Sequence, residues 1–360
     1  MRFTSLKMNS FRGFTHFELN GLKQVNLLMG RNNCGKTTAL EGLFLLTGIT
    51  NPRLLFALNS FRAERNITPD GMQALFHGMD AKTPFHISAG TVESGIDGIR
   101  SLECFAPSYS INQAVTNTGQ IIGATNGSSI PQYFTRLQYV TVSEENEKAE
   151  GQLEYKPERN NWEIKFAAEN YTGRSITSYF MVSDTFYRDI NIRLDAVVRM
   201  NQLPLVISPL RKLDPDIRNI QLGAMNNIYV DVGITPLSPI SVMGDGVRRM
   251  LAILATVISH TDGVVLIDEI ENGFHYSSLA VLWKALLSAA REYGVQIVAT
   301  THSVECANAL AGAVGDFSDD MAKNVSFFRI DRRKDGLHTG MSMDAEIILT
   351  SEEMGMEVRG

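Results

Sequence analysis

Apolar and polar positions change rhythm three times along this 360-residue chain. The first stretch alternates. Phe3, Leu6 and Met8 are followed by Phe11-Arg12-Gly13-Phe14 and by Phe17-Glu18-Leu19, the two-residue period of strands with one buried face. Val25-Asn26-Leu27-Leu28-Met29 reads as a short apolar strand, and Thr38 to Leu46 as an apolar helix running to about Gly48 and broken by Asn51-Pro52. Leu54 to Arg65 and Asp70 to His77 fit two short helices, with Asp70 a candidate N-cap for the second.

From about Pro84 the rhythm becomes one of short alternating runs separated by turns. Phe85 to Ser88, Ser101 to Phe105, Phe134 to Val142, Gly151 to Tyr155 and Trp162 to Phe166 are the runs. Thr116 to Gly119 and Thr125 to Ser129 are turn-rich, and Glu144 to Glu150 reads as a solvated hairpin tip. This texture predicts an antiparallel sheet with one wet face. Helical rhythm returns near Thr185. Arg188 to Met200 places Ile192, Ala196, Val197 and Met200 on one face, and Leu203 to Pro215 enters another helix or turn. The last third alternates helix and buried strand: Gly246 to Ile258 helical, Gly263 to Glu269 a strand ending in acids, Ser277 to Tyr293 helical, Val295 to Ala299 a second strand. Asn324 to Ile330 is a further strand, followed by a turn over Asp331 to Gly336.

With 44% hydrophobic and 20% charged residues, the chain has ordinary globular composition and enough apolar residues for a large core. The net charge of −6 means that any nucleic-acid contact must use a local patch. Arg53, Arg62 and Arg65, or Arg211 and Lys212, are the modest candidates. The three cysteines, Cys34, Cys104 and Cys306, are too scattered for a disulfide framework or a metal site. No run approaches the ~18 apolar residues of a membrane span, and the N-terminus lacks a signal-peptide core, so the expectation is a cytoplasmic chain without membrane contact.

Gly30-Arg31-Asn32-Asn33-Cys34-Gly35-Lys36-Thr37 fits G-x-x-x-x-G-K-[ST] between a strand and a helix. That loop curls backbone N–H groups around phosphates at a helix N-terminus, with Lys36 placed for the β- and γ-phosphates and Thr37 for Mg²⁺. Cys34 has two readings: a small residue filling a variable position, or an oxidation-sensitive thiol. A second element is the strand ending in Asp268-Glu269. Ligands gather at the C-terminal edges of strands in open α/β sheets, so these acids can meet Lys36. Asp268 would then hold the Mg²⁺ shell and Glu269 would polarise the attacking water. His302, closing the neighbouring strand after Thr300-Thr301, is placed to contact the γ-phosphate. Gly244-Asp245-Gly246 opens an amphipathic helix and reads equally as an anion-binding helix start or as a glycine turn capped by Asp245.

In this order, the elements resemble the ABC-type ATPase heads of the RecF, SMC and OLD-nuclease group. The likeness is greatest to the compact AAA-type ATPases of bacterial anti-phage modules such as Septu, PARIS and some retrons. Phe11-Arg12-Gly13-Phe14 matches the N-terminal "N-F-R-G-F"-like element, and Ile267 to His275 the "D-E-x-E-x-x-x-H" form of the acidic strand end. Leu213-Asp214-Pro215-Asp216-Ile217 and Met356-Glu357-Val358-Arg359 also fit. The likeness is strong at both ends and weak over about 85–175.

The resemblance implies an α/β fold: a P-loop NTPase of the ABC-ATPase head type, with a mixed central sheet and an antiparallel β-subdomain. It implies one domain over residues 1–360, with the β-rich part at about 85–175 and a lid-like helical segment at about 180–235. ATP and Mg²⁺ are the implied cofactors. Arg12 would contact phosphates, and Gly30, Asn32, Asn33, Cys34, Gly35, Lys36, Thr37 and Thr38 would cradle them. Lys36, Glu269 and His302 would carry catalysis, and Thr37 and Asp268 the metal. Gly244, Asp245, Gly246 and Arg248 stand where the group carries its signature motif, which reads the partner subunit's γ-phosphate; Met243 replaces the expected serine. Gln73 and Gln138 are the two candidates for the glutamine that watches Mg²⁺. The implied assembly is a head-to-tail homodimer around two ATP molecules. The chain shows neither the long coiled coil of SMC proteins nor the TOPRIM nuclease of OLD proteins. A nuclease or toxin effector is therefore expected from a partner encoded nearby, in anti-phage defence. The alternative is a RecF-like DNA-binding ATPase of repair or recombination.

Overall fold

A computed structural model describes residues 1–62, 69–106, 136–143, 147–156, 159, 161–167, 175–183, 185–223, 227–316 and 322–348. The N-terminal part contains β1 (Arg2–Phe3), β2 (Ser5–Phe11), β3 (Phe14–Asn20), β4 (Val25–Met29), α1 (Lys36–Thr47), α2 (Arg53–Phe61) and α3 (Pro69–Gln73). The middle contains β5 (Phe85–Glu93), β6 (Ile96–Phe105), β7 (Arg136–Val142), β8 (Lys148–Lys156), β9 (Asn161–Ala167) and β10 (Ser178–Met181). Next come α4 (Ile190–Arg199), α5 (Leu203–Leu213), β11 (Asn219–Leu222), β12 (Ile228–Asp231), β13 (Ser238–Pro239) and α6 (Asp245–Ser259). The chain continues through β14 (Val264–Ile267), α7 (Tyr276–Glu292), β15 (Gln296–Thr301), α8 (Val304–Gly315), β16 (Val325–Arg332) and β17 (His338–Met343).

Among the described residues a six-stranded sheet runs in the order β10-β14-β15-β4-β16-β17. Its strands are parallel except for β17, which closes the sheet as an antiparallel hairpin with β16. This is the mixed central sheet that the sequence predicts. β4, β14 and β15 are buried throughout, as parallel strands covered on both faces must be. Alternate residues sort to opposite faces: Leu27, Val265, Ile267 and Ile297 into one core, Leu28, Val264, Leu266 and Val298 into another. The first core is completed by α4 to α8, the second by α1, α2 and an antiparallel sheet.

That antiparallel sheet has eight described strands, in the order β3-β2-β5-β6-β7-β8-β9 with β1 on β5. It therefore begins at Arg2 and not at the change of texture near Pro84. Met8 pairs with Ile87 across nearly eighty residues, a long-range match that local rhythm does not reveal. Helix α1 lies between the two sheets, and every one of its residues except Thr37 is buried. A helix apolar all round needs such a double cover. At Gly42 a side-chain carbon would come within 2.5 Å of the Met8 sulfur, so the helix and β2 touch almost backbone to side chain. The fully buried Arg100 of β6 donates from Nη1 to the Leu46 carbonyl at 3.0 Å, setting a positive charge at the C-terminal end of α1.

Several local expectations change. The first short helix ends at Phe61, while Arg65 lies outside the described residues. Asp70 lies inside α3, not at its cap. Lys148, Ala149 and Glu150 are already in β8, with Glu144 to Asn146 outside the described residues. So are the turns at Thr116 to Gly119 and Thr125 to Ser129, and the Met356 to Arg359 match. On α4 the buried face is Arg193, Leu194 and Val197, whereas Ile192 and Met200 are exposed. Arg193 turns inward because it has partners there: carbonyls of Phe186 and Arg188, the Thr256 hydroxyl, and the Tyr179 ring 4.3 Å away. The small sheet β11-β12-β13 carries no strong alternation and is absent from the sequence reading. No helix of the described residues is long and apolar enough to cross a membrane.

Candidate functional site

The turn from β4 to α1 opens a cavity of about 550 Å³ at the C-terminal edge of the central sheet. Backbone geometry explains its glycines. Gly30 has φ +152, and a side-chain carbon there would sit 2.3 Å from the Ile330 carbonyl oxygen and 2.7 Å from Cys34 Sγ. Gly35, at φ +99, has the Phe14 ring 2.4 Å from where a side chain would start. Asn33 adopts φ +62, a conformation asparagine tolerates. Gly35 also caps α1, with no side-chain hydrogen bond and no acid in the first turn, so the helix N-terminus points bare N–H groups at the cavity. Cys34 is packed beneath the loop, and burial pushes its thiol up. A protonated thiol filling space under Gly30 answers the filler reading, not the reactive one.

Lys36 Nζ donates to the carbonyls of Gly30 at 2.8 Å and Arg31 at 2.9 Å, folding across its own loop. Thr37 Oγ1 donates to both carboxylate oxygens of Asp268, at 3.1 and 3.0 Å. The Thr300 hydroxyl donates to Oδ1 of the same carboxylate at 2.6 Å and accepts from the Glu269 backbone N–H at 2.8 Å. Burial pushes the Asp268 carboxyl up, against the pull of the Thr300 and Thr37 hydrogen bonds, with Glu269 and Glu41 adding negative charge nearby. Two hard oxygen donors thus converge beside a carboxylate whose ionised form lacks solvation, a pattern suited to Mg²⁺ held by few protein ligands and by phosphate. No group of three or more metal-ligating side chains occurs among the described residues.

Glu269 follows with φ +50, and its Oε2 accepts from Asn272 Nδ2 at 2.5 Å. Its side chain lines the cavity with Arg12, Asn32, Asn33, Gly35, Lys36, Thr37, Thr38 and Asp268. Gly30 and His302 line a small adjoining crevice instead. His302 is held by Glu271, whose Oε1 lies 2.9 Å from both the backbone N and Nδ1 of the histidine. Since a carboxylate only accepts, Nδ1 carries the proton. Gly244, Asp245, Gly246 and Arg248 do not line the cavity; they form the start of α6, with Gly244 and Asp245 exposed and Gly246 and Arg248 half-buried. Asp245 is the first residue of the helix, not its cap. It accepts from the Tyr187 hydroxyl at 2.7 Å, and the Arg248 guanidinium lies 4.6 Å from the Tyr187 ring centre. Gln73 and Gln138 do not line the cavity either.

Sequence reasoning misses five cavity residues, Gly13 among them. Arg62 reaches in from the end of α2, Phe14 from β3, and Arg332 and His338 from the β16–β17 hairpin. Phe14 stacks on Phe17 at 4.3 Å and meets His338 edge-on at 4.7 Å. Gly13 and Phe14 belong to the N-terminal element in which only Arg12 is read as a phosphate contact, and the other three lie in no phosphate-binding motif. Of the basic residues considered for nucleic acid, Arg62 pairs with Glu41, and Arg211 donates to the carbonyls of Ile217 and Arg218.

Comparison with known proteins agrees with this geometry. Residues 141–307 match the family described as "AAA domain, putative AbiEii toxin, Type IV TA system". A Helicobacter pylori protein named ATP/GTP phosphatase is 24% identical over 329 residues, covering 84% of this chain and 85% of its own. A 46-residue stretch is 46% identical to the DNA replication and repair protein RecF of Nitrosococcus oceani, 13% of each chain. Among solved structures, an Smc head bound to the C-winged helix domain of ScpA superposes with a TM-score of 0.50 at 12% identity, covering 99% of this chain and 100% of that one. The chain thus shares the fold of an SMC head, and its middle part resembles the AAA-domain family while most of its length is similar to a protein named ATP/GTP phosphatase.

Proposed function

We propose that this ATPase binds Mg²⁺–ATP in the cavity between α1 and β14, and that ATP draws two copies together to control an effector partner in anti-phage defence. The observation that carries the site is the Asp268 carboxylate, braced by Thr37 and Thr300 beside Glu269 at the bare N-terminus of α1. Lys36 leaves the Gly30 and Arg31 carbonyls to pair with the β- and γ-phosphates, while the loop N–H groups hold the remaining oxygens. Thr37 and Asp268 would hold Mg²⁺, which would supply positive charge to the phosphate oxygens. Glu269 takes the proton of the attacking water, its backbone fixed by Thr300 and its carboxylate by Asn272. His302, with Nδ1 committed to Glu271, keeps Nε2 as the nitrogen that would contact the terminal phosphate.

The dimer reading is supported by the start of α6, where Gly244 and Asp245 are exposed. Gly244 to Arg248 lie outside the chain's own cavity, and apolar Val242 and Tyr276 are left exposed, at 70% and 67%. A second copy laid head to tail would set this helix start against the other copy's ATP and cover those side chains. The defence role is supported by the match of residues 141–307 to a family described as "AAA domain, putative AbiEii toxin, Type IV TA system". With Glu269→Gln, ATP binds but is not turned over, so size-exclusion chromatography with ATP shows an accumulated dimer; Lys36→Ala abolishes ATP binding. Wild-type turnover in Glu269→Gln would remove Glu269 from the role of base. A monomer at saturating ATP would remove the dimer. ATP-dependent, steeply salt-sensitive DNA binding would favour the RecF-like reading instead.

A further inference from the structure

The cavity has two ends of different chemistry. At one, Asp268 and Glu269 follow β14; at the other, Arg332 and His338 are cross-strand partners in the β16–β17 hairpin. In the strand order β14-β15-β4-β16, acids and hairpin stand on opposite sides of β4, whose end carries the phosphate loop. Three strand spacings, about 14 Å, separate β14 from β16. The rings are at the hairpin end: among the residues lining the cavity, Phe14 and His338 alone carry them. The Phe14 ring is seated against Gly35, and His338 meets it edge-on at 4.7 Å, so this aromatic wall abuts the loop itself.

Arg332 is the charge at that end. It is exposed, and its guanidinium makes no hydrogen bond or ion pair among the described residues; the adjacent acid, Asp331, pairs instead with Arg329 at 2.8 Å. His338 beside it is 8% exposed. Burial, with Arg332 and His77 nearby, holds the pKa of His338 below the ordinary histidine value, so the ring is uncharged at neutral pH. The terminal phosphate belongs at the acid end, where Thr37 meets Asp268, and that leaves the hairpin end for the base. A planar fork of unpartnered N–H donors beside an uncharged ring wall suits the polar edge of a purine. An arginine donates only, so it discriminates between purines. Guanine offers two acceptors side by side, O6 and N7; adenine offers N7 but sets a donating amino group where O6 would be.

We propose that Arg332 is a specificity-determining residue that reads the O6 and N7 edge of a purine seated against His338 and Phe14, so that the site takes GTP as well as ATP. This rests on reading the cavity as the nucleotide site. The test measures steady-state hydrolysis of ATP, GTP and 7-deaza-GTP, which has carbon in place of N7, by the full chain and by Arg332→Ala, Arg332→Gln and Lys36→Ala. Arg332→Ala lowers the ratio of kcat/KM for GTP to that for ATP about tenfold. Loss of N7 from GTP weakens the wild type, and in Arg332→Ala it has no further effect, because the atom and the side chain act as one contact. Arg332→Gln, whose amide pairs with N6 and N7 of adenine, moves the ratio further toward ATP. Arg332 is exposed and unpaired, so its variants keep the fold, which matching unfolding curves check. An unchanged GTP-to-ATP ratio in Arg332→Ala, with turnover of every nucleotide lost in Lys36→Ala, overturns this proposal and leaves the nucleotide site standing. So does an equal response of wild type and Arg332→Ala to the loss of N7, or a wild type without GTP hydrolysis. Wild-type turnover in Lys36→Ala overturns the site itself.

Discussion

Thr300→Val tests whether the base is held by its neighbour strand. The side chains have nearly the same shape, and Thr300 is fully buried, so the change removes one hydroxyl and little packing. That hydroxyl donates to Asp268 Oδ1 at 2.6 Å and accepts from the Glu269 N–H at 2.8 Å. A hydrogen bond to a charged group contributes about 1.5–3 kcal/mol, and a stranded backbone N–H costs about 1–3 kcal/mol. The backbone of Glu269, at φ +50, loses the bond that holds it in a conformation disfavoured by about 1–2 kcal/mol, and relaxation there offsets part of the loss. A net fall of about 3 kcal/mol in unfolding free energy is expected by urea titration. Phosphate release should slow at least about tenfold as the Glu269 carboxylate loses its aim, whereas ATP affinity should stay within about threefold because the loop contacts are untouched. Thr300→Ser keeps both bonds and should restore turnover. A Thr300→Val protein that is destabilised yet turns over ATP at the wild-type rate would refute the reasoning, since the hydroxyl would then be part of the fold and not of the base's geometry.

Three further outcomes are expected. Gly35→Ala forces a side chain into positive φ and against the Phe14 ring, so ATP binding should weaken more than about tenfold in a titration; unchanged affinity would mean that the loop re-forms without that glycine. Arg100→Met strips the buried charge from the end of α1 and should cost about 2–4 kcal/mol in chemical denaturation while leaving KM for ATP near wild type. Burial lowers the pKa of His86, His260 and His338 below the ordinary histidine value, so the unfolded chain takes up protons more readily than the folded one. Their contribution is therefore intact above about pH 6.5 and is lost as pH falls through the folded-state values, which a series of unfolding curves from pH 7.5 to 5 should show. Asp268 acts with the opposite sign, because burial raises its folded-state pKa.

What the sequence discloses depends on how far apart the partners lie. The loop from Gly30 to Thr37 and the acids Asp268-Glu269 are legible because each motif is local and the strand–turn context is local too. Their meeting follows from a general rule of α/β sheets, and the Thr37–Asp268 hydrogen bonds bear it out. The Arg12–Glu41–Arg62 cluster is not legible, since it joins a β-turn, a helix interior and a helix end through side-chain geometry alone. Phe14, Arg332 and His338 are hidden for the same reason. The α4 face fails on a different ground: apolar periodicity has no means of scoring Arg193, an arginine buried by its own hydrogen bonds. β10 escapes because four residues, Ser178–Met181, are too few to show a period, although they complete the parallel edge beside the acids.

The enclosure of α1 has a consequence for how the chain handles its ligand. Because this helix is wedged between both sheets, its amides can exchange with solvent only when the layers themselves part. Opening of the phosphate loop's supporting helix is then a global event, and α1 should be among the slowest-exchanging segments of the molecule. By the same coupling, ATP affinity is delivered in full to the whole structure: at a hundredfold excess over its dissociation constant, the ligand adds about 2.7 kcal/mol to the resistance of both layers to unfolding. Nucleotide depletion would accordingly register as a loss of lifetime against proteases throughout the chain, not as loosening of one loop.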